Sequence, residues 1–445
     1  MLDKPPIELS DDYRYALDLL EKHHTSMFIT GKAGTGKSTL LQLFRNTTNK
    51  RVVVLAPTGI AALNVQGQTI HSFFGFPPKP ITKKDIKPRR YKKLYQRIDT
   101  IIIDEISMVR ADMMDNIDYF LRINCENPAP FGGKQVIFFG DLFQLPPIVN
   151  NAEQMYFSLQ YDSPYFFSAM VFNDFHLEPF ELRKVYRQDN LNFIKLLDRV
   201  RTNRIDWDDI DTLNERYMPK DFQTDDSYIT LSTVNRIVNQ INSRKLRELN
   251  TLEMTYTGKV EGNFSERTFP TDLALKLRIG AQVMFVKNDP ERQFVNGTLG
   301  KIQELHPDKI KVMLTEDGKE KVIEVEKATW EILKYGMDNN EIKTEPVGSF
   351  TQYPLRLAWA VTIHKSQGKT FDRVVIDLGR GAFAHGQTYV ALSRCRTFEG
   401  ILLKQKIKPQ DVMLDERIVQ YYEQFIARWA KFKYKYQAQV QVTEI

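Results

Sequence analysis

Cysteine is almost missing from this chain of 445 residues, which holds only Cys125 and Cys395. Two thiols cannot build a disulfide scaffold or a four-thiolate zinc site, and they suit a reducing compartment. Long apolar runs are missing too. The longest stretch free of Asp, Glu, Lys and Arg runs from Val52 to Pro78, and Pro57, Gly59, Gly67 and Pro77 interrupt it, so it is no membrane span. The opening Met1-Leu2-Asp3-Lys4-Pro5-Pro6 has neither the apolar core of a signal peptide nor the Arg/Ser bias of a transit peptide. No internal repeat and no low-complexity linker is visible. With 42% hydrophobic and 27% charged residues, wholesale disorder, a collagen-like repeat and a coiled-coil rod are excluded. At about 150 residues per domain, the length predicts roughly three domains. The net charge of +6, from 62 Lys+Arg against 56 Asp+Glu, is mild, so where the charges lie matters more than their sum.

What is present is an alternation of buried strands and helices. Met27–Thr30, Val52–Ala56, Thr100–Ile103 and Val136–Phe139 read as apolar strands, each ending at a Gly-rich or polar turn. Ser38–Arg45 and Arg110–Ile123 read as helices between them. That pattern predicts a parallel α/β sheet. The theme returns more loosely at Tyr228–Leu231, Asn235–Leu249 and Val374–Leu378. Between these lies a different texture. Short alternating segments at Lys301–Leu305, Lys309–Leu314 and Lys321–Val325 follow Asn296-Gly297, with turns at His306-Pro307-Asp308 and Glu316-Asp317-Gly318. They predict a small antiparallel barrel inserted into the second α/β domain.

Three segments carry chemistry. Gly31-Lys32-Ala33-Gly34-Thr35-Gly36-Lys37-Ser38 fits G-x-x-x-x-G-K-[ST], with a strand before it and a helix after. Its glycines let backbone N–H groups face phosphate oxygens; Lys37 would reach the β/γ-phosphates and Ser38 would hold Mg²⁺. Ile101-Ile102-Ile103-Asp104-Glu105 delivers two acids to a strand end. Asp104 can hold the metal through water, and Glu105 can polarise the attacking water. After another strand, Phe138–Pro147 places Gln144 where an amide could bond both the γ-phosphate and that water. Past residue 180, Arg187 in LRKVYRQ and Arg394 in YVALSRCR are candidate arginine fingers. On these residues alone three readings stand. One is a motor whose two halves share one chain. Another is a ring-forming ATPase that borrows its arginine from a neighbouring subunit. The third is a nucleic-acid-binding module with a vestigial ATP site.

The ordered set GKAGTGKST, LAPTGIAALNVQGQTIHSFFGF, IIIDEISMV, FFGDLFQLPP, LRKVYRQ, AVTIHKSQGKTF and YVALSRCR resembles the superfamily-one DNA helicases. Within them, TIHSFFGF, HKSQGKTF and the region Tyr165–Gln188 are similar to the petite-integration-frequency (Pif) family, related to the RecD-type helicases. The likeness covers roughly residues 25–405. It implies two RecA-like parallel-sheet motor domains, with a basic insert in the first and a small SH3-like β-barrel in the second. Motor domain 1A would span 1–180 with a wedge-like insert near 72–97. Motor domain 2A would comprise 181–250 and 351–412, the inserted domain 2B 251–350, and a helical segment 413–445.

The resemblance further implies ATP and Mg²⁺ as cofactors, held by Gly34, Thr35, Gly36, Lys37, Ser38, Thr39 and Gly368, with Ser38 and Asp104 at the metal and Glu105 as catalytic base. Gln144, Arg187, Gln367 and Arg394 would converge on the γ-phosphate. Thr58, Gly59, His71, Phe73, Pro146, Thr233, Asn235, His364, Lys365 and Ser366 would touch a single strand. Members step 5′-to-3′ on single-stranded DNA and open duplexes ahead, and many resolve G-quadruplexes. The expected partners are therefore single-stranded DNA, its junctions with duplex and G-quadruplex DNA. A monomer in solution and a cytoplasmic, bacterial, DNA-associated protein are expected. The chain departs from many relatives in having no glutamine before Gln42, where one would read adenine; Leu9-Ser10-Asp11-Asp12-Tyr13 stands there.

Physics adds two expectations on the nucleic-acid side. Phe73, Phe74 and Phe76 beside His71 offer flat faces for bases, each stack contributing about 1–3 kcal/mol, unless they are core. Residues 79–97 carry nine Lys and Arg against Asp85 alone, a block that repels itself without an anion and so predicts a DNA-facing loop. The basic-aromatic run Arg428–Tyr436 reads as the end of a helix packed on the second domain.

Overall fold

A computed structural model of the chain describes residues 10–77, 80–218, 227–316, 319–338 and 341–443. Strands β1 (Met27–Gly31), β2 (Val52–Ala56), β3 (Gln68–Thr69), β4 (Thr100–Ile103), β5 (Gln135–Phe139) and β6 (Glu178–Leu182) form one sheet in the order β3-β2-β4-β5-β1-β6. Every pairing in it is parallel. Such a sheet is covered on both faces, which is why Phe28, Val54, Ile102 and Phe138 are buried and the strands read as unbroken apolar runs. Helices α1 (Asp11–Glu21), α2 (Lys37–Thr47), α3 (Gly59–Asn64), α4 (Ile70–Phe74), α5 (Lys93–Arg97), α6 (Ala111–Cys125) and α7 (Asn151–Gln160) accompany it. The boundary expected at 180 falls inside β6.

Past β6, α8 (Leu191–Arg201) and α9 (Trp207–Asn214) lead to β7 (Ile229–Ser232) and α10 (Asn235–Glu248). The chain then leaves for the inserted body. Strands β8 (Met254–Thr257), β9 (Lys259–Gly262), β10 (Ala274–Leu277), β11 (Gln282–Phe285), β12 (Leu299–Leu305), β13 (Ile310–Glu316), β14 (Lys319–Val325), β15 (Ala328–Asp338), β16 (Glu341–Gln352) and β17 (Leu355–Leu357) build it. A five-stranded sheet β14-β13-β12-β11-β17 curls over Leu277, Val283, Ile302, Val312 and Tyr353. Because β17 belongs to this sheet, the insert reaches beyond 350. A separate long hairpin, β15–β16, pairs with β9. The chain returns as β18 (Ala360–Thr362), β19 (Val374–Asp377), α11 (Gln387–Leu392) and β20 (Ile401–Leu403). These make a second parallel sheet, β18-β7-β19-β20. Two RecA-like sheets with an SH3-like insert in the second are thus present.

The last helix, α12 (Glu416–Thr443), corrects one expectation: it packs on the first sheet, not the second. Trp429 lies 4.6 Å from Phe180, Phe425 5.3 Å from Phe28 and Tyr422 5.0 Å from Phe143, ring to ring. The aromatic stripe Tyr422, Phe425, Trp429 follows the i, i+3, i+7 rule for one helix face. That spacing announces a buried face without saying which sheet receives it. No helix among the described residues is long and apolar enough to cross a membrane.

Candidate nucleotide site and nucleic-acid face

The phosphate loop joins β1 to α2. Gly34 and Gly36 both have left-handed backbones, at φ +82° and +83°. At Gly34 a Cβ would stand 2.5 Å from the Arg187 Cβ, so only glycine lets the second half of the chain approach the loop. Thr35 is buried and its hydroxyl donates to the Lys32 carbonyl at 2.9 Å, serving the loop's own turn. Lys37 Nζ folds back on the Gly31 and Lys32 carbonyls at 2.7 and 3.1 Å. Burial lowers its pKa, while Asp141 and Glu105 oppose that. Ser38 and Thr39 are exposed in the first turn of α2. Backbone N–H groups at a helix start, with a lysine beside them, form an anion seat.

Asp104 and Glu105 follow β4 directly. Burial first, then Glu105, pushes Asp104 up to about 7, and burial raises Glu105 as well. Glu105 is held at φ +51°, a conformation uncommon for a residue with a side chain and enriched at functional sites. Lys37, and at Glu105 also Arg394, oppose these shifts without cancelling them. A divalent ion would fit the remaining like-charge deficit of the pair, and Ser38, in the first turn of α2, is the hydroxyl the phosphate loop offers it.

The second sheet supplies the other wall. Arg187 donates to the Ser393 carbonyl at 3.2 Å, and Tyr186 N–H bonds the Gly34 carbonyl at 2.9 Å. Arg394 is buried, with Nε on the Val390 carbonyl at 3.0 Å and Nη2 on Ser393 Oγ at 2.9 Å. Burial, and then Arg187, lowers its pKa to about 9, while Glu105 opposes this. Gln367 Nε2 and Gln144 Oε1 meet across the cleft at 3.5 Å. The structure therefore gathers Lys37, Asp104, Glu105, Gln144, Arg187, Gln367 and Arg394 into one cleft, with Gly368 exposed at its rim. Tyr13 was not anticipated. Its hydroxyl donates to the Gly36 carbonyl at 2.8 Å, and Tyr186 lies near it. Nothing in the α1 sequence singles out that tyrosine; only the fold brings it to the loop.

The expected nucleic-acid residues divide. Thr58 caps α3, its Oγ1 accepting from Ala61 N–H at 3.2 Å, and Gly59 begins the helix. Asn235, His364 and Lys365 are exposed on the second-sheet side, while His71 and Pro146 are half-buried. Three expectations are corrected. Phe73 is core, ring-packed on Phe74, Tyr95 and Tyr335, and Phe74 and Phe76 are buried with it. Ser366 is buried with its hydroxyl donated to the Ile363 carbonyl at 2.7 Å. Thr233 is buried beside the Leu378 carbonyl. The basic insert spends part of its charge internally: Arg89 donates to the Phe74 and Gly75 carbonyls at 2.5 and 3.1 Å, and Lys92 pairs with Glu126 at 2.8 Å.

The inserted body lies over this face. Thr268 Cγ2 sits 2.3 Å from where a Cβ on Gly59 would stand. Tyr335, on β15, accepts the Val54 N–H at 2.9 Å and donates its own N–H to Gln68 at 3.1 Å. Sequence offers no signal for either contact, because each joins segments more than 200 residues apart.

Comparison with known proteins supplies relatives. Residues 9–209 match the family model PIF1-like helicase, and residues 266–305 match the 2B domain of the DNA helicase Pif1. An ATP-dependent DNA helicase Pif1 of Bdellovibrio bacteriovorus is 32% identical over 94% of this chain and 92% of its own length. The crystal structure of Bacteroides sp. Pif1 with ADP-AlF4 superposes with a TM-score of 0.88 at 39% identity, over 95% of this chain and 98% of that one. Bacteroides Pif1 bound to single-stranded DNA covers the same shares at 39% identity, but with a TM-score of 0.69.

Proposed function

Because the chain belongs to the PIF1-like helicase family and is an ATP-dependent DNA helicase, we propose that it steps 5′-to-3′ along single-stranded DNA and opens duplex and G-quadruplex DNA ahead. The observation that carries the mechanism is the cleft: Arg187 and Arg394 of one half stand against the phosphate loop and acid pair of the other. Nucleotide bound there is cleaved as the two sheets close. Backbone N–H groups and Lys37 bind the phosphates. Ser38 and Asp104 would hold Mg²⁺, which when bound draws charge off the phosphate oxygens. Glu105 orients the attacking water and takes up its proton. Gln144, Gln367, Arg187 and Arg394 stabilise the charge that develops on the γ-phosphoryl group. Thr58, Gly59 and His71 on one sheet, and Asn235, His364 and Lys365 on the other, grip the strand. Two grips whose spacing changes with the cleft give a directional step.

The Bacteroides relative with single-stranded DNA superposes less well than the one with ADP-AlF4, at the same identity. That difference supports a rearrangement on strand binding, which we place at the body over Gly59 because it covers the expected phosphate seat. The protein works as a monomer, since one chain carries both walls. The test is strand displacement on duplexes bearing a 5′ or a 3′ tail, with ATP and Mg²⁺. Unwinding of the 5′-tailed substrate alone is expected; unwinding of the 3′-tailed one alone overturns the polarity. A G-quadruplex behind a 5′ tail tests the remaining substrate.

A further inference from the structure

One buried ion pair in the cleft has no part in the phosphate chemistry above. Asp141, just past β5 of the first sheet, meets Arg201, the last residue of α8, at 3.0 Å through Nη2 and 3.3 Å through Nε. Both side chains are at most 1% exposed. The guanidinium is roofed by the rings of Phe143 at 4.1 Å and Tyr422 at 5.1 Å. The second Asp141 oxygen receives the Tyr389 hydroxyl at 3.3 Å, and that same hydroxyl accepts the Ala33 N–H of the phosphate loop at 2.9 Å. Asp141 also accepts from Phe143 N–H at 3.2 Å and from Gln144 Nε2 at 3.4 Å. Burial alone would raise the Asp141 carboxyl, but Arg201 and Lys37 outweigh it and hold it below its ordinary value.

The two sides of this network belong to different sheets. Asp141, Gln144 and Ala33 ride on the first. Arg201 and Tyr389 ride on α8 and α11, which pack together beside the second. Tyr389 is five positions before Arg394 on the same segment. Opening of the cleft would part Asp141 from Arg201 and the Ala33 N–H from its acceptor, since the partners ride on different sheets. An unpaired buried carboxylate is far costlier than a paired one, so the network is complete only in the closed arrangement.

We infer that Arg201 and Tyr389 are positioning residues that latch the closed cleft, fixing the Gln144 turn and the phosphate loop against Arg394 at the moment of cleavage. The inference rests on the cleft being the site of hydrolysis. Both side chains are engaged by Asp141 and the Ala33 N–H, and they act through those two groups.

The test uses the full chain and its Arg201→Met, Tyr389→Phe and Asp141→Asn/Arg201→Met variants. Binding of ADP alone is compared with binding of ADP plus aluminium fluoride, which mimics the transferring phosphoryl group and calls for closure. Arg201→Met is expected to keep ADP affinity within about threefold while losing about tenfold or more in analogue affinity and in DNA-stimulated kcat, with KM for ATP little changed. Tyr389→Phe shows the same split. The double variant regains about threefold or more over Arg201→Met, since an amide needs no guanidinium. A merely structural role weakens ADP and the analogue in parallel, and that outcome overturns the latch, as does native kcat in both single variants. Should Arg201→Met lack a cooperative melt, Tyr389→Phe decides. Lys37→Ala separates the two levels: if it still hydrolyses ATP, the cleft assignment has failed rather than the latch.

Discussion

Tyr335→Ala is expected to make the protein bind single-stranded DNA more tightly. Tyr335 sits on the β15–β16 hairpin of the insert, yet it is 5% exposed and shares the apolar core that runs through the first sheet, outside the two clusters of the insert itself. Its ring packs on Phe73 at 5.8 Å, and its hydroxyl accepts the Val54 N–H. Its truncation therefore weakens docking more than it weakens the folding of the insert. Removing a buried aromatic costs about 3–5 kcal/mol where the site cannot collapse, and the lost acceptor adds about 1 kcal/mol. In the docked arrangement Thr268 stands on Gly59, at the start of the helix expected to seat a phosphate. On the proposed grip at Thr58 and Gly59, a strand binds only after undocking, so apparent affinity is scaled by the undocked fraction. Destabilising docking by about 3 kcal/mol raises that fraction by up to roughly two orders of magnitude, with a ceiling where undocking is complete. A gain of about 10- to 100-fold is expected for a labelled oligo-dT at fixed salt, read by fluorescence anisotropy. Tyr335→Phe, which keeps the ring, gives a smaller gain. Equal or weaker binding by Tyr335→Ala, with a cooperative melt intact, would refute the claim that docking competes with the strand.

Four further outcomes follow from the site and the fold. Lys37→Ala and Glu105→Gln should abolish unwinding, with hydrolysis down by about two orders of magnitude or more, while oligonucleotide affinity stays within about threefold. Arg394→Ala should retain nucleotide binding but lose about 10³ in DNA-stimulated turnover; normal turnover would remove it from the fingers. Asp104 has a folded pKa raised to about 7, so the fold is favoured fully below the unfolded value near 3.8 and loses that contribution as pH rises through 7. On the proposed metal role of this pair, Mg²⁺ takes its deprotonated form, so the rise in Tm with Mg²⁺ should grow from pH 6 to pH 8 and vanish in Asp104→Asn. Trp429→Ala should destabilise the protein by about 3–5 kcal/mol in chemical denaturation, because the ring is 1% exposed against Phe180.

The first sheet was legible from its residues because each strand is a continuous apolar run that ends where chemistry begins. Met27, Ile101 and Val136 lie on neighbouring strands, and the acids and glycines lie just past the strand ends, as in open α/β folds generally. Six of the seven cleft residues were singled out from their own segments and Gln367 only through the family resemblance, and the fold brings the seven together. What failed were inferences about which way particular side chains outside that cleft point. Phe73, Phe74 and Phe76 have the composition of a stacking platform and the location of a core, since α4 turns the first two inward and Phe76, just past its Gly75 cap, follows them towards Phe120. Ser366 lies among exposed neighbours, but a single 3₁₀ turn points its hydroxyl back at Ile363. Docking of α12 on the first sheet and of Tyr335 on Phe73 depends on non-local complementarity, which a local pattern does not encode.

The charge inventory of the cleft explains why a nucleotide can drive closure at all. Lys37, Arg187 and Arg394 crowd the phosphate loop, facing Asp104 and Glu105, while Arg201 is matched by Asp141. Burial drives Arg187, Arg394 and Lys37 down together, and Arg187 and Arg394 repel one another. Closing these cations onto an empty loop therefore opposes itself. A triphosphate reverses the sign, since each arginine then meets anionic oxygens in a poorly solvated site where attraction is far stronger than in water. The closed cleft is thus favoured most while the γ-phosphate is present, and departure of that phosphate restores the repulsion. On the proposed mechanism, directional force would arise from the loss of charge after cleavage, with Arg187, lodged against Gly34, as the contact through which the first domain feels it.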